Sequence, residues 1–276
     1  MKKNSQIQIV RDHSLKKLIN DTSLAKRGLY DIDILPKIKI LIVKVEKQFL
    51  AKEYQKCIDL CDQILLLDNL CFFALYHKAR SLEELSDVWY YNQKQILSED
   101  ISKLEEANIW YDKALKVESD NFLALLGKGS LLSMRLGKID EALIYSKRAL
   151  EIKPRNHETL FYTGNCYYEL GNHEEALFYY KIMLEEGSND SLSIMCIVNC
   201  YFNLGEFDKA IVYCDKSLKT DSVDPINLRN KGMCLTKLGK YKEALVWLNK
   251  ALEIYPKDEE AVVFKDECLK KLKDIF

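Results

Sequence analysis

Residues Pro225–Asp258, PINLRNKGMCLTKLGKYKEALVWLNKALEIYPKD, decide how this chain folds. Leu228, Gly232 and Leu235 recur at helical spacing, and Leu238-Gly239-Lys240-Tyr241 then interrupts the pattern. Ala244, Leu248, Ala251 and Leu252 resume it, and Pro256 closes it. Residues three and four apart share one face of a helix, so the segment reads as two amphipathic helices joined by a tight turn. Upstream the same frame returns: Gly137, Gly171, Gly205 and Gly239 are evenly spaced. Ala142, Ala176, Ala210 and Ala244 keep that interval, as do Leu150, Leu184, Leu218 and Leu252. A fixed period shared by unrelated positions means stacked supersecondary units rather than one closed core.

Four copies run without a gap: 123–156, 157–190, 191–224 and 225–258. Ser130, Gly164 and Gly232 are small enough to let the two helices of a unit approach closely. Val198 replaces the small residue in one unit, which predicts a slightly more open hairpin. The turn glycines suit a left-handed helix ending at little steric cost. Asp140-Glu141, Glu174-Glu175 and Asp208 follow them, in the first turn of the second helix, where negative charge complements the helix dipole.

Further upstream the frame is degraded. Residues 38–71 carry Leu41 and Val45, then Tyr54, Cys57, Cys61, Ile64 and Leu65, and Pro36 suits the opening of the first helix. The next unit, 72–121, carries Leu75, Ala79 and Leu82, then Ala107, Tyr111, Ala114 and Leu115 after an oversized gap. The stretch from Leu85 to Ser102 reads as an extension of both helices, with a helix start at Ser98-Glu99-Asp100; an irregular loop is the alternative. Residues 1–35 lack the repeat and read as an arm of short helices or disorder. Residues 259–276 begin like a first helix, with Ala261, Val262, Cys268 and Leu269, but Asp266 takes the small-residue position among lysines. That pattern fits a terminal capping helix.

Each unit resembles the tetratricopeptide repeat (TPR), a pair of antiparallel helices recurring every ~34 residues. The resemblance implies an all-α, right-handed superhelical solenoid: about six TPR units over 36–258, followed by the cap. It further implies a non-catalytic scaffold or adaptor whose partner is another protein or a peptide segment. Some members clamp acidic C-terminal tails with Lys, Asn and Arg at set places on three first helices. Across 157–258 those places hold Phe161, Asn165, Cys196, Ile226 and Asn230, and Asn165 alone fits. An apolar partner segment is expected instead.

Composition narrows the alternatives. Lys plus Arg number 41 against 42 Asp plus Glu, so charge provides no case for nucleic acid as the partner. No apolar run is long enough to span a bilayer, and Met1-Lys2-Lys3 leads into Asn4-Ser5-Gln6 rather than an apolar signal core. A cytoplasmic protein without membrane partners is expected. Of the nine cysteines, Cys166, Cys200 and Cys234 occupy one place in three successive units, where a small buried residue belongs. Structural rather than metal-binding thiols are expected. His157-Glu158 and His173-Glu174 lack the second His of a zinc-protease helix, with Phe161 and Leu177 in its place. Gly127-Lys128-Gly129-Ser130 lacks two residues of a phosphate loop, and Gly129 there suits close packing. No cofactor, metal or catalytic set is expected.

In a TPR stack the first helices line the concave side. The face that would point into that channel reads Leu131 and Met134; then Phe161, Asn165 and Tyr168; then Met195, Asn199 and Phe202; then Arg229, Met233 and Thr236, with Tyr162, Cys196 and Asn230 beside it. This surface is more apolar than helix packing requires, and its amides can pair with a peptide backbone. A partner segment bound there is the expected function. The alternative is a regulatory subunit or assembly chaperone (or co-chaperone) that holds a folded partner through its outer edge or the extended hairpin, with Trp89, Tyr90 and Tyr91 at its tip. The oligomeric state stays open.

Overall fold

The computed structural model describes residues 34–86, 98–186 and 191–274. Among these there are thirteen α-helices, one π-helical turn and no strand. They divide into two compact units. The first holds α1 (Ile34–Leu50), α2 (Tyr54–Leu67), α3 (Phe72–Glu84), α4 (Ser98–Val117), α5 (Phe122–Ser130, continued by the π turn Leu131–Arg135) and α6 (Ile139–Ile152). The second holds α7 (His157–Glu169), α8 (His173–Glu186), α9 (Ser191–Asn203), α10 (Phe207–Leu218), α11 (Pro225–Lys237), α12 (Tyr241–Ile254) and α13 (Glu259–Lys273). Within each unit a helix packs mainly on its sequence neighbours, so the chain is an all-α helical repeat solenoid. The arm preceding Ile34 and the aromatic tip at Trp89, Tyr90 and Tyr91 lie outside the described residues.

The turns form for the reason the glycines suggest. Gly137, Gly171, Gly205 and Gly239 all have φ between 67° and 78°. At the end of α11, Gly239 N–H donates to the Thr236 carbonyl and Lys240 N–H to the Leu235 carbonyl, at 3.0 and 2.9 Å. This paired bonding satisfies carbonyls that the helix end leaves open. Lys52 makes the same turn after α1 with φ 59° and no glycine. Helix starts are capped by Asn121, Asn156, Asp224 and Asp258, whose side chains accept backbone N–H bonds.

One unit departs from the frame. The span from the capping Asn121 to Gly137 is longer by a single position than those from Asn156 to Gly171 and from Asp224 to Gly239. The extra residue is absorbed in the π turn, where Leu136 N–H donates to the Leu131 carbonyl, one position further back than in an α-helix. Positions before the turn are therefore shifted by one. Gly129, not Ser130, meets the second helix: a Cβ there would lie 3.4 Å from the Ser146 backbone nitrogen.

The close approach within a hairpin depends on pairs of positions. Gly164 lies against Tyr180, and Gly232 against Leu248, with the same separation along the chain. At the same two positions α9 and α10 carry Val198 and Cys214, buried in one cluster. α1 and α2 carry Val45 and Cys61, and α3 and α4 carry Ala79 and Tyr111. A larger residue on one helix is met by a smaller one on the other, which keeps the interior close-packed. The bulk of Val198 is thus matched by Cys214.

Adjacent hairpins are tied by a second recurring set. Lys78 pairs with Asp62, Lys128 with Asp112 and Lys231 with Asp215, a first helix reaching back to the second helix before it. The same ammonium groups sit over the rings of Trp110, Tyr145 and Trp247, at 4.2, 4.6 and 3.8 Å. Burying these lysines requires both the carboxylate and the ring face. Where the second helix carries Lys181, the next first helix has Ile197 at the matching place, so like charges do not meet.

α3 ends at Glu84, and most of the stretch expected to extend the hairpin, residues 87–97, lies outside the described residues. α4, starting at Ser98, has 20 residues against 14 in α6, α8 and α12. Cys166, Cys200 and Cys234 are fully buried, as small core residues should be. Burial pushes the Cys200 and Cys234 thiols up to about 12, which keeps them protonated. On α13, Ala261 and Cys268 are buried, while Val262, Leu269 and Asp266 face water, since among the described residues no second helix packs on that side.

Candidate functional site

In the second unit the first helices α7, α9, α11 and α13 together frame a cleft of about 220 Å³. Tyr168 comes from α7; Val198, Asn199, Phe202 and Asn203 from α9; Arg229, Asn230 and Met233 from α11; Glu260 from α13. The volume is below the ~300–1,000 Å³ of small-molecule sites. The apolar members pack onto the core behind them: Phe202 sits edge-on to Phe207 and Phe264, with centroids 5.4 and 6.4 Å away. The rim is held by Asn203, whose Nδ2 donates to the Tyr168 hydroxyl at 2.7 Å.

Arg229 organises the polar end. Its Nη1 lies 3.3 Å from Asp258 Oδ2 and 3.2 Å from Glu260 Oε2. Its Nε and Nη2 donate to Asn230 Oδ1 at 3.3 and 3.2 Å. A guanidinium only donates, so it fixes the Asn230 amide with oxygen toward Arg229. The amide nitrogen is left on the other side. Asn230 is 5 % exposed, lines the cleft, and its Nδ2 has no hydrogen-bond partner. An orphaned buried donor costs about 1–3 kcal/mol, which an acceptor entering the cleft can recover.

About half of the residues expected on the channel face line this cleft: Tyr168, Asn199, Phe202, Arg229, Asn230 and Met233. Asn230 and Met233 sit at its floor, buried rather than presented to solvent. Phe161, Tyr162, Asn165 and Met195 are half-buried on α7 and α9 and do not line it. Phe161 and Met195 pack against the core, and Asn165 accepts the Tyr180 hydroxyl at 2.5 Å, which ties it to its own hairpin. Thr236 is buried and donates to the Gly232 carbonyl at 2.9 Å. Leu131 and Met134 belong to the other unit. Leu131 is 0 % exposed and part of the core, because the π turn moves it off the face that a strict period assigns. Three lining residues lie outside the expected channel face: Val198, Asn203 and Glu260, the last on α13, beyond the four full repeats.

The family model for the anaphase-promoting complex, cyclosome, subunit 3 matches residues 135–212 and 173–251. The chain is also similar to YrrB, a TPR protein with an unusual peptide-binding site, over 75 % of this chain and 97 % of that one, with 21 % identity and a TM-score of 0.60. A TPR protein from Parabacteroides merdae superposes over 86 % and 91 % of the two chains, at 17 % identity and TM-score 0.62. The pilF protein of Pseudomonas aeruginosa does so over 83 % and 97 %, at 15 % identity and TM-score 0.63. This chain is a tetratricopeptide repeat protein. No curated protein matches it. Its fold is the one repeat scaffolds for protein interaction use.

The first unit of this TPR protein contains a different polar cluster. On α3, Arg80 lies over the Phe49 and Tyr76 rings, at 4.6 and 5.9 Å. The Tyr111 hydroxyl donates to Glu83 Oε2 at 3.2 Å. Arg135, in the π turn, donates to the Glu83 carbonyl at 3.0 Å and to that of Ser86, closing the end of α3. Burial pushes the Glu83 carboxyl up to about 7, against the pull of Arg135, Tyr111 and Arg80, while Glu84 pushes the same way as burial. Unfolded, the carboxyl titrates near its ordinary 4.5. Between these values the folded chain holds a proton the unfolded chain has released, so this group's contribution to stability falls as pH rises through that window. Glu83→Gln is expected to flatten the fall in melting temperature between about pH 5 and 8 and to melt higher than the parent at the alkaline end. Thermal denaturation followed by circular dichroism measures it; identical profiles would place the carboxylate in water. Among the described residues no cluster of His, Cys, Asp and Glu can hold a metal ion, and no helix is long and apolar enough to cross a membrane.

Proposed function

We propose that this protein is a non-catalytic interaction scaffold that takes a segment of a partner protein into the cleft of its second unit. The unpartnered Nδ2 of Asn230 carries this reading. A main-chain carbonyl is the acceptor that every peptide offers, and Asn199 stands on the facing helix to pair with the same backbone. Tyr168, Phe202 and Met233 supply apolar surface for a side chain beside it. The peptide site named for YrrB lies in a protein of the same fold, which is consistent with this use of the architecture.

A peptide selected from a displayed library on the purified chain provides the ligand for the test. Asn230→Ala is expected to weaken its binding about ten- to hundredfold, the loss of ~1–3 kcal/mol that follows when a buried carbonyl loses its donor. Asn199→Ala should weaken it as well. Calorimetric titration measures both, with circular dichroism confirming the fold. Unchanged affinity in both variants would rule the cleft out.

One observation favours a second reading. Phe178, Val212 and Val246 are exposed on α8, α10 and α12 at the interval of the repeat, an apolar row on the outer helices. A folded partner held along that edge, by a regulatory subunit or assembly chaperone, would tolerate both asparagine changes and be lost with Phe178→Asp.

A further inference from the structure

Among the described residues Arg229 is the one cationic side chain lining the cleft, and it is already shared between two carboxylates. Asp258 has a buried side chain and accepts the Ala261 N–H at 3.0 Å with its other oxygen. Being buried, its charge needs the Arg229 guanidinium more than an exposed carboxylate does. Glu260 shares the same guanidinium but is 62 % exposed, at the cleft's mouth. One guanidinium against two carboxylates leaves one net negative charge at this end. An incoming anion would find Arg229 occupied and Glu260 beside it, a like-charge meeting that disfavours acidic partners. Asn230 Oδ1 and Glu260 Oε2 bind different nitrogens of one guanidinium. The open Asn230 donor and the exposed carboxylate therefore lie within the reach of one residue's backbone and a neighbouring side chain.

We propose that the cleft selects a segment bearing a lysine or arginine, its main-chain carbonyl accepting from Asn230 and its cation lying against Glu260. This rests on the peptide reading of the cleft. The full chain is probed with an array of short, N-acetylated, C-amidated peptides in which one fixed position carries Lys, Arg, Asp, Glu, Leu or Ala among randomised neighbours. Retention is expected to be highest with Lys or Arg fixed. The best-retained peptide is then titrated by fluorescence anisotropy against the parent, Glu260→Gln, Glu260→Lys and Asn230→Ala, each checked for fold by circular dichroism. Glu260→Gln should weaken it about threefold at low salt, in keeping with a part-exposed charge pair. Glu260→Lys should weaken it further, and both differences should shrink at high salt. With alanine in place of the basic residue, the peptide should bind parent and Glu260→Gln alike. A preference for acidic peptides, or indifference to Glu260→Gln while Asn230→Ala still removes binding, overturns the charge selection and leaves the peptide site standing. Failure to retain any peptide, or indifference to Asn230→Ala, removes the peptide site and this proposal with it.

Discussion

Gly164→Val is expected to destabilise the second unit by ~1–3 kcal/mol, the range for forcing extra methyl groups into a packed interior. A Cβ at this position would stand 2.6 Å from Tyr180 Cε1 and 2.9 Å from Cδ1 and Cζ. The ring cannot swing aside, since Tyr180 is buried and its hydroxyl is bonded to Asn165 at 2.5 Å. Intrinsic helix propensity opposes the loss, because glycine is the poorer helix former by a few tenths of a kcal/mol. A measured destabilisation therefore reports the clash. Tyr180→Cys alone should cost ~3–5 kcal/mol through the cavity it leaves. The double variant recreates the Val198 and Cys214 combination found in the next hairpin, so its cost should be well below the sum of the two. Urea denaturation of all four proteins closes the cycle. A single variant that unfolds like the parent would mean the helices do not touch at Gly164. Strict additivity in the double would mean that large-against-small pairing does not set the hairpin.

Asp112→Ala should cost about 3 kcal/mol, near the lower end for stranding a buried charge. Lys128 has a side chain only 3 % exposed, and Asp112 is its carboxylate partner, itself 46 % exposed. Without it the ammonium keeps the Tyr145 ring at 4.6 Å but no counter-charge. The half-exposed aspartate lets water reach the pair, which holds the cost to the low side. Asp112→Ala combined with Lys128→Met should recover most of the loss, because an apolar chain of similar length fills the site without a charge to compensate. Denaturant midpoints of the single and double variants decide it. A single-variant cost below about 1 kcal/mol would make this an ordinary surface pair. Hydrogen exchange should confine the damage to α4–α6, since each hairpin touches only its neighbours.

The candidate site was partly legible. Tyr168, Asn199 and Phe202 could be placed on one side of their helices because the period reports which face a residue occupies. Leu131 could not, because an inserted residue upstream of Gly137 leaves no mark in a pattern anchored on that glycine. Counting from the capping Asn121 would have exposed the mismatch. Asn165 carries the right chemistry on the right helix, but its oxygen is held by Tyr180 from the second helix of its hairpin. Glu260 was hidden because the channel face was traced only along the first helices of the four full repeats, and Glu260 lies on the helix that follows them.

The sequence by itself determined the helical hairpins of the regular repeats, their glycine turns and the buried Ala and Cys positions. All of these follow from local periodicity and backbone sterics, which act over a few residues. Only the tertiary structure decided the π turn, the large-against-small pairs, the Lys–Asp–ring ties and the open donor of Asn230. Each depends on what a different turn or helix brings within contact distance. Whether an amide is spare is not a property of asparagine: here it follows from an arginine that Asp258 and Glu260, at the start of α13, hold in place.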